Sequence, residues 1–401
     1  MIETTTLPYV RGRLLRDTAA DVAKLRTAWR IVERRHGEGT LFDFSGLERS
    51  FDVGEAPRSA LHDDLAPALY GERLTELALE HLGGVAGRDD VFVANRLTAA
   101  AVAAMQVLVR PGARVVGVSP SYTHPAVVRG VHLAGGEFVD GGPIEGADVV
   151  VLTRLAVTYD ALPEEPLLEA TAEAQSRGIP VFVDDAGGAR VGPAVLGQPK
   201  TLELGAEVGA TGLDKYGTSG PRLGLLAGRA ELVGRIRARA IELGLEARPM
   251  LYPAVVRSLE RYRPERVREL VEATSALGDA LELRLGARVD RTQVAVKLEG
   301  EAILAEAAAR AGLEVAQCRL VPYEATAALA MLLLRDHGIL TVHFAALPPG
   351  TSALLLKFVV PETLERFGGP DRFAAAVDES LDALAALVGD ERRLARLLGG
   401  V

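Results

Sequence analysis

The chain of 401 residues is 48% hydrophobic and 25% charged, with 42 Gly and 21 Pro spread along it, which excludes a fibrous or disordered chain and points to a folded, water-soluble protein. Its formal charge of −9 provides no overall positive field for phosphate backbones or anionic lipid, so nucleic acid is disfavoured as a partner. One cysteine, Cys318, excludes an intramolecular disulfide framework and a thiolate metal cluster and agrees with a reducing compartment, the cytoplasm being the default.

The opening Met1-Ile-Glu-Thr-Thr-Thr lacks a basic segment followed by an apolar one and does not read as a secretory signal. Residues 1–60 hold one helical pattern, Ala19–Arg35, and then a loop rich in Gly, Asp and Phe, and read as an N-terminal arm. A regular alternation begins at Glu72: helix Glu72–Leu82, strand Asp90–Ala94, helix Thr98–Val109 and strand Ala113–Val118. Helix His124–Leu133, strands Glu137–Asp140 and Asp148–Leu152, helix Glu165–Arg177 and strand Pro180–Asp184 follow. Short, wholly apolar strands separated by helices predict a mostly parallel sheet covered on both faces, an α/β fold.

Strands Glu207–Thr211 and Arg222–Ala227 are joined by a loop too short for a crossover helix, so this pair should be antiparallel or cross at the sheet edge. A helical region over Glu231–Leu285 breaks near Arg248-Pro249 and Arg263-Pro264. A smaller α+β unit then has strands Ala287–Asp290, Gln293–Leu298, Ile339–Phe344 and Ala353–Val359, helices Ala302–Ala311 and Glu324–His337, and a closing helix Arg372–Leu398. The expected division is an arm (1–60), a large domain (61–250), connecting helices (251–285) and a small C-terminal domain (286–401). Apolar stretches such as Ala325–Leu334 fall far short of the roughly 20 residues a membrane-spanning helix needs.

In an open parallel sheet the ligand lies beyond the carboxyl ends of the strands. Five polar segments stand there: Asn95–Ala100, Ser121–His124, Thr153-Arg154, Asp184–Gly188 and Thr211–Lys215. No G-x-G-x-x-G follows a strand and no phosphate loop is present, so neither a nicotinamide cofactor nor ATP is indicated. The seven histidines lack metal-ligand spacing, and no metal site is expected.

What remains is a lysine at one strand end and carboxylates at its neighbour, in a chain where only five of the 45 basic residues are lysines. Pyridoxal phosphate needs an amine to form a Schiff base, a carboxylate to keep its ring nitrogen protonated, a flat side chain over the ring and a helix N-terminus for its phosphate. Lys215, Asp184, His124 and the amides around Thr98-Ala99 are the candidates. The three side chains have plainer readings. Lys215 could be a surface lysine in a turn, Asp184 a helix N-cap with Asp185 taking its place, and His124-Pro125 simply a helix start. Lys297 and Lys357, inside apolar strands, read as snorkelling stems. Arg96, beside the phosphate helix, is a candidate for substrate or phosphate, and Arg190, Arg154, Arg319 and His343 are weaker candidates for a substrate carboxylate.

The segments Val181-Phe-Val-Asp-Asp-Ala-Gly-Gly-Ala-Arg190 and Gly212-Leu-Asp-Lys-Tyr-Gly-Thr-Ser-Gly-Pro-Arg-Leu-Gly224 resemble those of fold-type I pyridoxal-phosphate enzymes. Within that superfamily, with Asn95-Arg-Leu-Thr-Ala-Ala and Ser119-Pro-Ser-Tyr-Thr-His-Pro, they look most like the L-seryl-tRNA(Sec) selenium transferase group and its short archaeal relatives. The resemblance covers residues 60–245. It implies Lys215 as the lysine forming the internal aldimine and shuttling the Cα proton, Asp184 as the pyridinium partner, and Thr211 with the loop Gly217–Arg222 completing the phosphate site. It also implies a homodimer with sites at the subunit interface.

Two departures matter. A serine usually stands three residues before the lysine, where this chain has Gly212 with Thr211 before it. Many aminotransferases carry a carboxylate-binding arginine on a late strand, which here reads Leu354-Leu-Leu-Lys357. The second makes ordinary transamination less expected, and the resemblance leans toward elimination or replacement at Cβ of an amino acid or amino-acid-like substrate. The alternatives are selenium transferase-like action on an aminoacyl-tRNA, an aldolase, an aminotransferase, a non-catalytic cofactor-binding protein, or an α/β protein with no cofactor.

Overall fold

Runs of β-branched and apolar residues bounded by Gly, Pro and Asp become the strands of the computed structural model, which describes residues 9–56, 62–341 and 352–400. In chain order they are β1 (Phe42–Asp43), β2 (Asp89–Ala94), β3 (Arg114–Val118), β4 (Glu137–Asp140), β5 (Val149–Thr153), β6 (Val181–Asp184), β7 (Val208–Gly212), β8 (Gly224–Arg229), β9 (Asp290–Arg291), β10 (Ala295–Glu299), β11 (Ile339–Leu340) and β12 (Ala353–Lys357). The chain divides into two compact units, one of Glu48–Arg268 and one joining the residues up to Leu47 with those from Glu269 onward. The segment 1–60 is thus shared between the units. Helix Thr18–Gly37 packs in the second, where Asp21 accepts a hydrogen bond from the Tyr323 hydroxyl at 2.9 Å, whereas Glu48 pairs with Arg266 in the first.

In unit Glu48–Arg268 the seven strands lie in the order β2-β8-β7-β6-β5-β3-β4. Every residue of β5, β6 and β7 is buried, because helices cover both faces of the sheet. Val149 and Val151 meet one face, with Ala103 of helix Leu97–Leu108, Val131 of helix Pro125–Leu133 and Ile236 of helix Ala230–Glu242. Val150 and Leu152 turn to the other, against Leu167 and Ala170 of helix Glu164–Ser176. That alternation is the two-residue period of a strand buried on both sides.

β7 and β8 are antiparallel, as their short loop requires, but β8 is interior: it pairs antiparallel with β2 on its other side. β2 therefore runs in the same direction as β7. The carboxyl ends of β2, β3, β4, β5, β6 and β7 all come to one edge of the sheet, where the residues singled out from the sequence lie.

The other unit has an antiparallel sheet in the order β12-β10-β9. Helix Pro322–His337 is buried at every position from Tyr323 to Leu334, so its all-round apolar character marks an interior helix. No described helix is long and apolar enough to cross a membrane. The closing helix expected over Arg372–Leu398 is two helices, Gly369–Ala385 and Glu391–Leu397. Asp390 interrupts it by accepting the Arg393 amide at 3.0 Å, the N-cap of a new helix. The strand expected at Ala287–Asp290 is mostly a 3₁₀ turn, Gly286–Arg288, before the two-residue β9. Of the segment expected as strand Ile339–Phe344, Ile339-Leu340 forms β11 and the half from 342 to 344, including His343, lies outside the described residues.

Candidate active site

Lys215 stands three residues beyond β7, in a turn closed by the Gly220 amide on the Leu213 carbonyl (2.9 Å) and by the Thr218 hydroxyl on the Lys215 carbonyl (2.8 Å). Asp184 ends β6, in register with Thr153 of β5 on one side and Ala210 of β7 on the other. Burial, then the neighbouring Asp185, push the Asp184 carboxyl up to about 6 against the pull of Lys215. Burial likewise pushes the Lys215 ammonium below its ordinary value, aided by Arg190 and Arg222 and opposed by Asp214 and Asp184. A buried amine and a buried carboxyl, each favouring the charged form of the other, are the arrangement of groups poised for proton transfer.

Geometry separates the two adjacent aspartates. Asp185 is fully buried 2.7 Å from the equally buried Arg154, and its carboxylate also accepts the Thr201 hydroxyl at 2.6 Å. It is held in a structural ion pair, and Asp184 is the one whose charge acts on Lys215. Asp185→Asn should lower the unfolding free energy by about 3–5 kcal/mol, since it leaves the Arg154 guanidinium buried without its counter-charge. A denaturant melt of the variant indistinguishable from wild type would refute this assignment.

His124 caps helix Pro125–Leu133, its Nδ1 accepting the Ala126 amide at 3.0 Å. Burial first, then the charges of Lys215 and Arg129, push it down to about 4. It is therefore a neutral, flat ring near the lysine. Thr98 and Ala99 open helix Leu97–Leu108, whose N-cap Arg96 is exposed and makes no side-chain cap bond. The first turn of that helix lies directly against the sheet because Gly224 starts β8: a Cβ there would stand 2.7 Å from the Leu97 Cα.

Arg222 is half exposed, and its ionisation is disfavoured by burial and then by the charges of Arg49 and Arg96. Asp214 balances only part of this cluster, with its Oδ2 3.0 Å from Arg49 Nε and 3.9 Å from Arg222 Nε. A surplus of guanidinium groups with an uncapped helix start suits a phosphate. Arg49 was not among the residues expected. It follows no strand, and its link to Asp214 spans 165 positions, which no local pattern announces.

Two expected residues lie inside the scaffold. Thr211 is fully buried, and its hydroxyl donates to the Ala186 carbonyl at 3.4 Å. Arg190, expected at a substrate carboxylate, is fully buried and donates to the carbonyls of Gly212 (2.8 Å) and Ala186 (3.2 Å). Its charge reaches Lys215 from within the protein. Arg154 is engaged with Asp185, and Arg319 lies exposed in the other unit.

No protein-family model matches the chain. The UPF0425 pyridoxal phosphate-dependent protein of Methanopyrus kandleri is 30% identical over 383 residues, covering 93% of this chain and 96% of its own length. The protein of the same description from Methanothermobacter thermautotrophicus is 29% identical over 400 residues, covering 96% and 100%. The chain belongs to the UPF0425 pyridoxal phosphate-dependent proteins. Among solved structures, alanine–glyoxylate aminotransferase from Nostoc sp. matches with a TM-score of 0.58 and 14% identity over 85% of this chain and 95% of its own. Ureidoglycine–glyoxylate aminotransferase from Bacillus subtilis matches with 0.58 and 14% over 90% and 97%. At that identity they establish the fold, which is that of fold-type I pyridoxal-phosphate enzymes.

The residues of this UPF0425 chain fit the cofactor. Beside Asp184 the Thr153 hydroxyl is buried and makes no hydrogen bond among the described residues. It is a buried polar group beside Asp184 with hydrogen-bonding capacity left for a ligand. An amine, a carboxylate, a neutral imidazole and a cationic helix start are the donor set the cofactor requires.

Proposed function

We propose that the protein is a pyridoxal-phosphate-dependent enzyme that eliminates or replaces a group at Cβ of an amino acid or amino-acid-like substrate. The observation that carries this reading is Lys215, with a lowered pKa, in electrostatic contact with the buried Asp184. When bound, the cofactor supplies an electron sink conjugated to the substrate Cα. Asp184 would hold the proton on the ring nitrogen and His124 would lie over the ring. Thr98, Ala99 and Arg222 would bind the phosphate, with Arg96 at the substrate's anionic group. Lys215, able to be a free amine at lower pH than an ordinary lysine, would take the proton from Cα and deliver one to the leaving group.

Cβ chemistry is preferred to transamination because the late strand that offers an arginine in many aminotransferases carries Lys357. That lysine is buried and donates to the Ser45 carbonyl at 3.1 Å. The proposed setting is a homodimer in the cytoplasm.

The test is the visible spectrum of the purified protein with added pyridoxal phosphate, followed through a panel of amino acids bearing leaving groups at Cβ. A lysine-bound cofactor band that such an amino acid shifts is the expected result, with release of the leaving group and either a keto acid and ammonia (elimination) or, with an added nucleophile, a new β-substituted amino acid (replacement), and no amino-group transfer to a second keto acid. Stoichiometric transfer of the amino group would replace this reading with transamination, and a protein that takes up no cofactor would remove it.

A further inference from the structure

Only three described residues other than glycine have positive φ, and two of them, Tyr159 (66°) and Tyr216 (57°), are joined to each other. Their hydroxyls are 2.6 Å apart and their rings meet edge to face at 6.2 Å. A bulky side chain in the left-handed region is strained and persists only where its surroundings over-determine it. Tyr216 directly follows Lys215, and the Lys215 Nζ lies 5.4 Å from its ring centroid.

Three strand-end loops converge on that ring. Tyr159 comes from the loop after β5, closed by its amide on the Ala156 carbonyl at 3.0 Å. From the loop after β6 comes Gly187, where a Cβ would stand 2.7 Å from Tyr216 Cε2, so only glycine lets the ring in. Arg190 adds its guanidinium 5.9 Å from the same centroid while donating to Gly212 at the end of β7. The ring of Tyr216 thus sits where the Asp184 loop and the Lys215 turn are fitted together.

We propose that Tyr216, braced by Tyr159, Gly187 and Arg190, is a positioning residue that fixes the Lys215 amine in a dehydrated place facing Asp184. This inference rests on the reading of Lys215 above and goes beyond it by assigning what holds the lysine there. The charged and titratable groups acting on Lys215 are Asp214, Arg190, Asp184 and Arg222, with His124 and Tyr216 beside it. Loosening the brace leaves those groups in place and admits water, so the ammonium form gains.

The test has two arms on the full chain. In the cofactor-free protein, the pH dependence of reductive methylation at Lys215, mapped on peptides, gives the amine's midpoint. In the loaded protein, the pH midpoint of the visible cofactor band gives a second reading. Tyr159→Phe and Tyr216→Phe each remove one oxygen and keep the ring, and Gly187→Ala sets a Cβ 2.7 Å from Tyr216 Cε2 and so displaces the ring. Both midpoints should rise by about half a pH unit or more in each variant that folds. Lowered melting temperatures with both midpoints at their wild-type values in the two phenylalanine variants would overturn the proposal, the tyrosines then serving the fold alone. A wild type that takes up no cofactor would defeat the proposed function, while the methylation arm would still decide whether Tyr216 positions the amine.

Discussion

Lys215→Ala should leave a folded protein without the lysine-bound cofactor band, with turnover of any substrate found for the wild type lowered by about 10³–10⁴-fold or more. The turn that carries the lysine is held by backbone bonds, Gly220 on Leu213 and Thr218 on the Lys215 carbonyl, none of which uses the amine. The variant should therefore melt close to wild type. Burial is the largest influence on the Lys215 ammonium and disfavours it, while Asp214 and Asp184 oppose Arg190 and Arg222, so its removal should cost the cofactor-free protein little. Noncovalent uptake of the cofactor should persist, because the helix start and the arginine cluster are untouched. The decisive measurements are the visible spectrum, the melt and a single-turnover assay. Retention of a reducible, lysine-attached cofactor in the variant would move the assignment to another of the five lysines.

Asp184→Asn should separate stability from activity. The carboxyl is pushed up to about 6 in the folded chain from an ordinary 3.8, so the folded state binds its proton more tightly than the unfolded chain does. The linkage sign is then fixed: wild-type stability falls as pH rises through the window from about 4 to about 6, by about 3 kcal/mol in all. Without cofactor, the Asn variant should outlast wild type above pH 7, and the difference should shrink to a small part of that near pH 4 and vanish below about pH 3, where Asp184 is protonated in both states. Loaded with cofactor, the same variant should turn over roughly 10²–10⁴-fold more slowly, because nothing then holds the ring nitrogen's proton. Melts of both proteins across pH 4–8, with and without cofactor, read both effects. A variant less stable than wild type throughout that range would show that Asp184 is not charged at a cost in the free protein.

The α/β class was legible because parallel strands covered on both faces cannot hide their apolar runs, and Val149–Thr153 and Val181–Asp184 carry no polar face at all. The gathering of Lys215 and Asp184 followed from the same reading, since strand ends in such a sheet share an edge. What the residues alone left open was set by distant contacts. Asp184 and Asp185 are indistinguishable until Arg154 and Thr201 take the second one. Arg190 looks like an anion-binding arginine until the carbonyls of Gly212 and Ala186 close over it. Helix Thr18–Gly37 reads as part of an arm because its partner, the segment around Tyr323, lies some 300 positions away. The left-handed Tyr216 is equally invisible, because no local rule favours a bulky residue there.

The placement of β8 bears on how the molecule acquires its shape. β2 pairs within the sheet only with β8, and that partner is made more than a hundred residues later. During synthesis the first strand of the sheet and the helix start at Leu97 must wait, while β3, β4, β5 and β6 already have one another. Pairing so distant along the chain is slow to form, and the close approach of Gly224 to Leu97 is made only with it. A nascent chain halted before Gly224 would have β3, β4, β5 and β6 paired and β2 still without its partner in the sheet.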